Sequence, residues 1–415
     1  MIDVAIMGHG VVGSGVAEVL TKHPDNIAAR AGEAINIKYI LDLRDFPESP
    51  LFDRFTTDFE RIVNDKDVRI VAELMGGLEP AYTFVKRCLL AGKSVVTSNK
   101  ELVAAKGYEL LSIAKAQNVN FLFEASVGGG IPILRPLSQC MAANEIDEIM
   151  GILNGTTNFI LTKMISENMS FEDALKMAQE LGYAEKDPTA DVGGHDTCRK
   201  VCILAALAFG KHVYPEHIYT EGIENLNLCD AQYASSADYA IKLIGRVARA
   251  QDNRITATVY PALVSSDSQL SSVNDVFNAV LVRGDATGDV LFYGKGAGKL
   301  PTASAVVADI IDCVKHLEAR KYLFWEDYSD GYVCDHNNDV VNLYVRAGIE
   351  SEQAVTAIKK AFDHKDISLD FLCLPPLISK KETAFICGPF VEKDLRSLIE
   401  QIKDIKVISI LHVID

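Results

Sequence analysis

The sequence has no run of 18 apolar residues, so no membrane-spanning helix is expected. Its opening stretch, MIDVAIMGHG, lacks a basic n-region and a cleavage site, so no secretory signal is expected. Positive charge is in deficit. The 41 Lys and Arg against 57 Asp and Glu leave a net charge of −16, which argues against nucleic acid and anionic membrane as partners. Small anions stay possible, because a local site can be positive. Metal-finger spacing is absent: the nine cysteines are scattered, and the closest pair, Cys198 and Cys202, sits one helical turn apart. They read as reduced core thiols of a cytoplasmic protein. Internal repeats and low-complexity tracts are absent too. What is present is 415 residues, 48% hydrophobic and 24% charged, enough for two or three globular domains with cores of their own.

Residues 1–130 alternate short apolar runs with amphipathic stretches. IDVAIM, NIKYILDL, VRIVAELM, SVVTSN and VNFLFEA read as buried strands. VAEVLTKH, AYTFVKRCLLAG and GYELLSIAKAQ read as helices between them, the pattern of a parallel sheet covered by helices. Residues 131–300 have α+β texture. FEDALKMAQELGY and a second helix from about Asp196 to Phe209 precede strand-like ITATVYPALV and AVLVRG. Beyond a polar linker around EDYSDGYVCDHNND, residues 331–415 read as β-α-β-β-α-β.

IDVAIMGHGVVGSGVAEVL sets Gly8, Gly10 and Gly13 in G-x-G-x-x-G spacing between a strand and a helix. A pyrophosphate needs free backbone N–H groups at a helix N-terminus, with no side chain in the way. A plain tight turn would use the same glycines; the surrounding βαβ texture favours dinucleotide binding. In ILDLRD, Asp42 suits a ribose 2′-hydroxyl and Arg44 a 2′-phosphate, so NAD and NADP both stay open.

SVVTSNKELVA sets Lys100 just beyond a strand, where open α/β sheets bind ligands, although a lone lysine there is more often a solvated surface residue. ELGYAEKDPTADVGGHDTCRKVCILAALAFG carries Glu185, Asp187, Asp191 and Asp196, then Lys200. Asp196 and Lys200 are i and i+4 on one helix face. An exposed ion pair there would contribute little. The apolar run after Lys200 predicts a buried helix instead. A buried lysine needs an acid partner or a shifted pKa, and such a lysine can exchange a proton with a substrate hydroxyl. GILNGTTNFIL reads as a strand end, a polar Asn-Gly-Thr-Thr junction and a helix start.

Taken together, GHGVVG, ELMGGLEPA, TSNKELVA, EASVGGGIPI, GILNGTTNFIL, GYAEKDPTADVGGHDTCRK and GKGAGKLPTASAVVAD resemble the homoserine dehydrogenase family, in its order, over residues 1 to about 320. The later segment resembles the regulatory ACT domain of the longer bacterial members. The resemblance implies an α/β Rossmann-type dinucleotide-binding domain at 1–130, completed by about 298–320. An α+β catalytic and dimerisation domain follows at 131–300, and a C-terminal ACT-like βαββαβ domain at 331–415. The implied activity is the reversible NAD(P)H-dependent reduction of L-aspartate 4-semialdehyde to L-homoserine, on the route to threonine, methionine and isoleucine. The alternative is a non-catalytic nucleotide-sensing regulator on a dehydrogenase scaffold. Loss of either lysine would favour it, and both are present.

Site residues carry over by position. Lys200 resembles the proton donor, with Asp196 orienting it and Lys100 near substrate and nicotinamide. Substrate contacts would come from Asn154, Gly155, Thr156, Gly182, Tyr183, Glu185, Asp191 and Asp196. Gly155 would let the backbone approach a ligand, and Thr156 would cap the helix whose free N–H groups suit a carboxylate. Cofactor contacts would come from Gly8, Gly10, Val11, Val12, Gly13, Arg44, Gly76, Gly77, Ser98, Lys100 and Gly298. EASVGGGIPI resembles a monovalent cation loop, with oxygens of Glu124, Val127, Gly129 and Ile131 holding Na+ or K+. The partners implied are a small-molecule substrate and further copies of the chain, as homodimer or homotetramer. One departure stands out. RAGIESEQAV lacks the Asp-x-Pro-Gly-like turn of effector-binding ACT domains and has only Gly348, so the module is expected to support assembly more than to sense threonine.

Overall fold

Val4, Ala5, Ile6 and Met7 have no exposed surface, which a strand achieves when helices cover both its faces. The computed structural model describes residues 1–319, 321, 323–351, 353–373 and 381–415. It places this strand, Ile2–Met7, in a six-stranded parallel sheet. The order across the sheet is Phe55–Thr56, Ile35–Leu41, Ile2–Met7, Val68–Glu73, Ser94–Thr97, Phe121–Leu122. That is the doubly wound dinucleotide-binding order, with its switch point between Ile2–Met7 and Val68–Glu73. All five apolar runs read as strands lie in it. Phe55–Thr56, two residues long, has no apolar run to announce it. The helix Lys299–Lys315 returns to this layer and packs on Val11–Lys22, close enough that a methyl on Gly15 would sit 3.0 Å from the Ala303 side chain.

The second sheet has ten strands. From one edge the order is Gly288–Lys295, Phe277–Gly284, Ile146–Ile152, Tyr239–Arg249, Ile255–Ser265, Ile405–Ile414, Val340–Ile349, Glu382–Val391, Ser368–Phe371, with Tyr219–Thr220 beside Ile255–Ser265. Helices Gly155–Glu167 and His195–Phe209 pack on it. The C-terminal segment gives the expected β-α-β-β-α-β elements, with helices Ala354–Asp363 and Glu392–Glu400. The expected strand SLDFLCL ends at Leu374, outside the described residues.

This segment is no separate bead. Ile255–Ser265 is buried along nearly its whole length, so it needs a neighbour on each edge. Its second edge is shared by Tyr219–Thr220, beside residues 258–259, and by Ile405–Ile414, parallel, through Ala262–His412, Leu263–Val413 and Val264–Ile414. The His412 ring stacks on Tyr260 at 3.8 Å. Nearby, Arg346 reaches into the helix Leu228–Ser236. It donates to Asn227 Oδ1 at 2.8 Å and lies 3.4 Å from the fully buried Asp230, which also accepts from the Tyr344 hydroxyl. The stretch that reads as a polar linker is likewise stitched down. Glu326 N–H donates to Gly210 O, His212 N–H to Glu326 O, and the buried Tyr332 hydroxyl to Phe209 O. Ending the chain before residue 331 is therefore expected to lower the melting temperature by several degrees, since it strips Asp230 of its cation and opens a buried strand. Calorimetry of the truncated protein checks this; a melting point equal to that of the full chain would show the segment to be a mere appendage.

Candidate active site

Two glycines frame the helix that carries the acid and the lysine. Gly194, left-handed at φ +80°, precedes it and Gly210, at φ +83°, ends it, fixing His195–Phe209 with its apolar flank against the sheet. One turn in, Asp196 and Lys200 face the same way, and both are buried. Lys200 Nζ lies 2.7 Å from Asp196 Oδ2 and donates to the Leu153 carbonyl at 2.5 Å. Lys100, first residue of the helix Lys100–Gln117 on the other sheet, brings its Nζ to 2.8 Å from Asp196 Oδ1. One buried carboxylate is thus bracketed by two lysines from two sheets.

Asn154 closes the cluster. Its Nδ2 donates to Asp196 Oδ2 at 2.9 Å and to Asp191 Oδ1 at 2.7 Å, while its Oδ1 accepts from Thr157 N–H at 2.8 Å. Asn154 is therefore the cap of the helix Gly155–Glu167. This corrects the expectation for Thr156. Its hydroxyl donates to the Tyr183 carbonyl at 2.7 Å instead, because the first free N–H within reach of a cap lies three residues after Asn154. Gly155 is required by close approach: a methyl there would sit 2.8 Å from the Val276 carbonyl oxygen.

The electrostatics follow from burial. Desolvation opposes the charged form of Asp196, but the two lysines outweigh it and hold the carboxyl below the usual range. Desolvation pushes Lys200 down, and Asp196 offsets only part of that. Lys100 is raised, by Asp196 first, against its own partial burial. Burial raises Asp191, partly countered by the Asn154 hydrogen bond. The site therefore holds a lysine primed to release a proton beside one that keeps its charge.

At the glycine turn, a methyl on Gly13 would sit 1.9 Å from the Gly8 carbonyl oxygen, and one on Gly8 2.8 Å from the Leu74 carbonyl. Gly10 faces open space and begins the helix Val11–Lys22 with no side-chain cap, so the first N–H groups are free. Val11 is exposed and Val12 half-buried. Asp42 and Arg44, the two candidate readers of the 2′ position, occupy each other: Arg44 Nε and Nη2 each lie 2.9 Å from Asp42, which also accepts from His9 N–H at 2.7 Å. Gly76 and Gly77 have φ of +80° and +71°. Asn99, which sequence reasoning passed over, joins them to Lys100. Its Nδ2 donates to the Gly77 carbonyl at 2.6 Å and its Oδ1 caps the Lys100 helix. The sequence signal was Asn immediately before the first helical residue. Ser98 is half-buried beside it.

The remaining candidates lie on other turns and loops. Gly298, at φ +124°, opens the helix Lys299–Lys315. Gly182, at φ +76°, Tyr183 and Glu185 are exposed, and the Glu185 carboxylate has no hydrogen-bond partner among the described residues. Tyr183 sets its ring edge-on to Phe159 at 5.1 Å. Glu124 uses both side-chain oxygens inwardly, accepting from the N–H groups of Ile133, Leu134 and Arg135. Among the described residues no group of three His, Cys, Asp or Glu is placed to hold a metal. In the EASVGGGIPI loop the Glu124 carboxylate and the Ser126 hydroxyl are already engaged, and the carbonyls of Val127, Gly129 and Ile131 accept no backbone hydrogen bond among the described residues.

Family models of two kinds match the chain: "Homoserine dehydrogenase, NAD binding domain" over residues 8–124 and "Homoserine dehydrogenase" over residues 132–311. The homoserine dehydrogenase of Bacillus subtilis is 36% identical over 98% of this chain and 96% of its own length. That of Corynebacterium glutamicum is 35% identical over 99% and 94%. A crystal structure of a homoserine dehydrogenase from Thiobacillus denitrificans superposes with a TM-score of 0.89 at 36% identity, covering 100% of this chain and 98% of that one. A hyperthermophilic archaeal homoserine dehydrogenase mutant in complex with NADPH gives a TM-score of 0.64 at 28% identity over 75% of this chain and 97% of that one.

Proposed function

This chain belongs to the homoserine dehydrogenase family and is an NAD(P)-dependent oxidoreductase, and on that premise we propose how its residues divide the reaction. L-Homoserine and L-aspartate 4-semialdehyde interconvert at the cluster where Lys100 of one layer meets Asp196 and Lys200 of the other. The single observation that carries the reading is the buried Asp196 carboxylate bracketed by Lys100 and Lys200. The cofactor, when bound, supplies or takes the hydride. Lys200, whose ammonium is weakened by burial, gives a proton to the aldehyde oxygen in one direction and takes the hydroxyl proton in the other. Asp196 orients it. Lys100 keeps its charge and polarises the same oxygen. The free N–H groups of Gly155 and Thr156 suit the substrate carboxylate, and Asp191 and Glu185 its ammonium. The relatives are named as dehydrogenases, so the regulator reading has no support.

Gly8, Gly10 and Gly13 fit a pyrophosphate, because the turn leaves N–H groups open and no side chain in front of them. The Asp42–Arg44 pair leaves the choice between NAD and NADP to experiment. The carbonyls of Glu124, Val127, Gly129 and Ile131 suit Na+ or K+, as a donor set of neutral oxygens. Residues 1–130 with 298–320, residues 131–300 and residues 331–415 are read as the cofactor, catalytic and ACT-like units. Gly348 lies inside the strand Val340–Ile349, ahead of the connection to the helix Ala354–Asp363, and the lack of a Pro-Gly turn in the sequence supports assembly over effector sensing. The assembly is read as a dimer or tetramer in the cytoplasm.

Steady-state oxidation of L-homoserine with NAD and with NADP, with and without L-threonine, tests the reading; no turnover with either cofactor would end it. Within it, Glu185→Ala is expected to raise KM for homoserine on the order of 10-fold, the contribution of one charge-assisted hydrogen bond, with kcat little changed. An unchanged KM would make Glu185 a surface charge.

A further inference from the structure

Asn278 is a fully buried carboxamide with nothing to bond. It is 1% exposed, and neither its Nδ2 nor its Oδ1 has a hydrogen-bond partner among the described residues. It follows the first residue of the strand Phe277–Gly284, on the same side as Val280 and Val282, the side on which the helix Gly155–Glu167 packs. An unpaired buried amide is costly, and native interiors rarely keep one without a use.

Its neighbours are two backbones that bear ligand turns. A methyl on Gly296 would sit 2.2 Å from Asn278 Nδ2 and 2.5 Å from Oδ1, so the amide lies directly against the Gly296 backbone. A methyl on Gly155 would sit 3.5 Å from Oδ1. Gly296 and Ala297 make no backbone hydrogen bond among the described residues, and Gly155 N–H is a free helix-start donor. Donors and acceptors thus stand unpaired on both sides of one contact. Gly296 is two residues from Gly298, on the cofactor side. Gly155 is the substrate turn.

We infer that Asn278 is a positioning residue that locks the Gly296–Gly298 turn to the Asn154–Thr156 turn when cofactor and substrate are both bound, so that each ligand tightens the binding of the other. The inference rests on the functional reading above for which turn meets which ligand. Asn278 touches neither reacting atoms nor solvent. Its effect is on affinity and coupling, with kcat secondary.

The test uses the full-length enzyme, with NADPH and NADH as fluorescent probes and L-homoserine as the second ligand, a pair that cannot react. In the wild type, homoserine is expected to tighten reduced-cofactor binding about 5–150-fold, the usual range of coupling between sites. In Asn278→Leu that factor is expected to fall to about 1, with KM for both ligands raised more than kcat is lowered. The melting temperature of the ligand-free variant is expected to hold or rise, because Leu removes an unpaired amide. A structural amide predicts the reverse: a lower melting temperature and unchanged coupling. Either result overturns the inference. Asn278→Asp keeps the shape and loses the amide N–H, so its coupling is expected to fall as well, and full coupling there overturns the inference even if the leucine variant does not fold. Failure of the wild type to oxidise homoserine would instead sink the functional reading.

Discussion

Lys200→Ala is expected to lower kcat about 10²–10⁴-fold, the usual loss when a positioned proton donor is removed, while KM for homoserine changes far less. The reason is geometric. Lys200 is held by Asp196 and the Leu153 carbonyl and cannot be replaced by a solvated neighbour. The pH profile separates this from a general disturbance. Burial lowers the Lys200 pKa from its ordinary 10.5. Homoserine oxidation needs the neutral amine, so its rate rises with pH through that lowered pKa and levels off below 10.5. Aldehyde reduction needs the ammonium and falls through the same range. In the alanine variant both limbs disappear. Stopped-flow and steady-state rates from pH 6 upward measure this, and a variant within a few-fold of wild-type kcat would remove Lys200 from the reaction.

Asp196→Asn is expected to harm stability as well as turnover. The single carboxylate is shared between two ammonium groups at 2.7 and 2.8 Å, one of them buried. Taking one partner from a buried charge pair leaves an uncompensated charge, at a cost of about 3–5 kcal/mol. The amide is isosteric, so the loss is electrostatic and depends on pH. Without Asp196 the folded-state pKa of Lys200 falls further below its unfolded value. The unfolded chain then binds more protons, and stability recovers as pH rises. Denaturant melts of both proteins from pH 6 to 9 would show a gap that narrows upward. A gap of constant size would mean that packing, not charge, explains it.

How much of this was legible depended on the kind of signal. Fully buried parallel strands are continuous apolar runs, so Ile2–Met7 and Val68–Glu73 announce themselves, whereas Phe55–Thr56 is too short to carry a pattern. Asp196 and Lys200 were legible because helical spacing puts them on one face. That Lys100 shares their carboxylate was not, since it comes from another sheet and no local rule links the two stretches. Thr156 was misread as the cap because Asn154 and Thr156 both favour that position, and only the register of the first free N–H decides. The insertion of Ile405–Ile414 beside Ile255–Ser265 had no signature: an apolar strand does not encode its neighbour. Asn278 could not stand out either, because a buried asparagine looks like a surface one until its surroundings are known.

That inserted strand sets a timetable for synthesis. Ile255–Ser265 leaves the ribosome with one edge able to pair with Tyr239–Arg249 and residues 258–259 of the other with Tyr219–Thr220, but the partner of residues 262–264 is made well over a hundred residues later. At about 5–20 residues per second this end of the strand stays bare for on the order of 10 s. During that interval residues 262–264, the apolar end of the strand, present unmatched N–H and C=O groups to other nascent chains nearby. The sheet is thus completed by a contact its growing chain cannot make early, and residues 262–264 need shielding until residues 412–414 arrive.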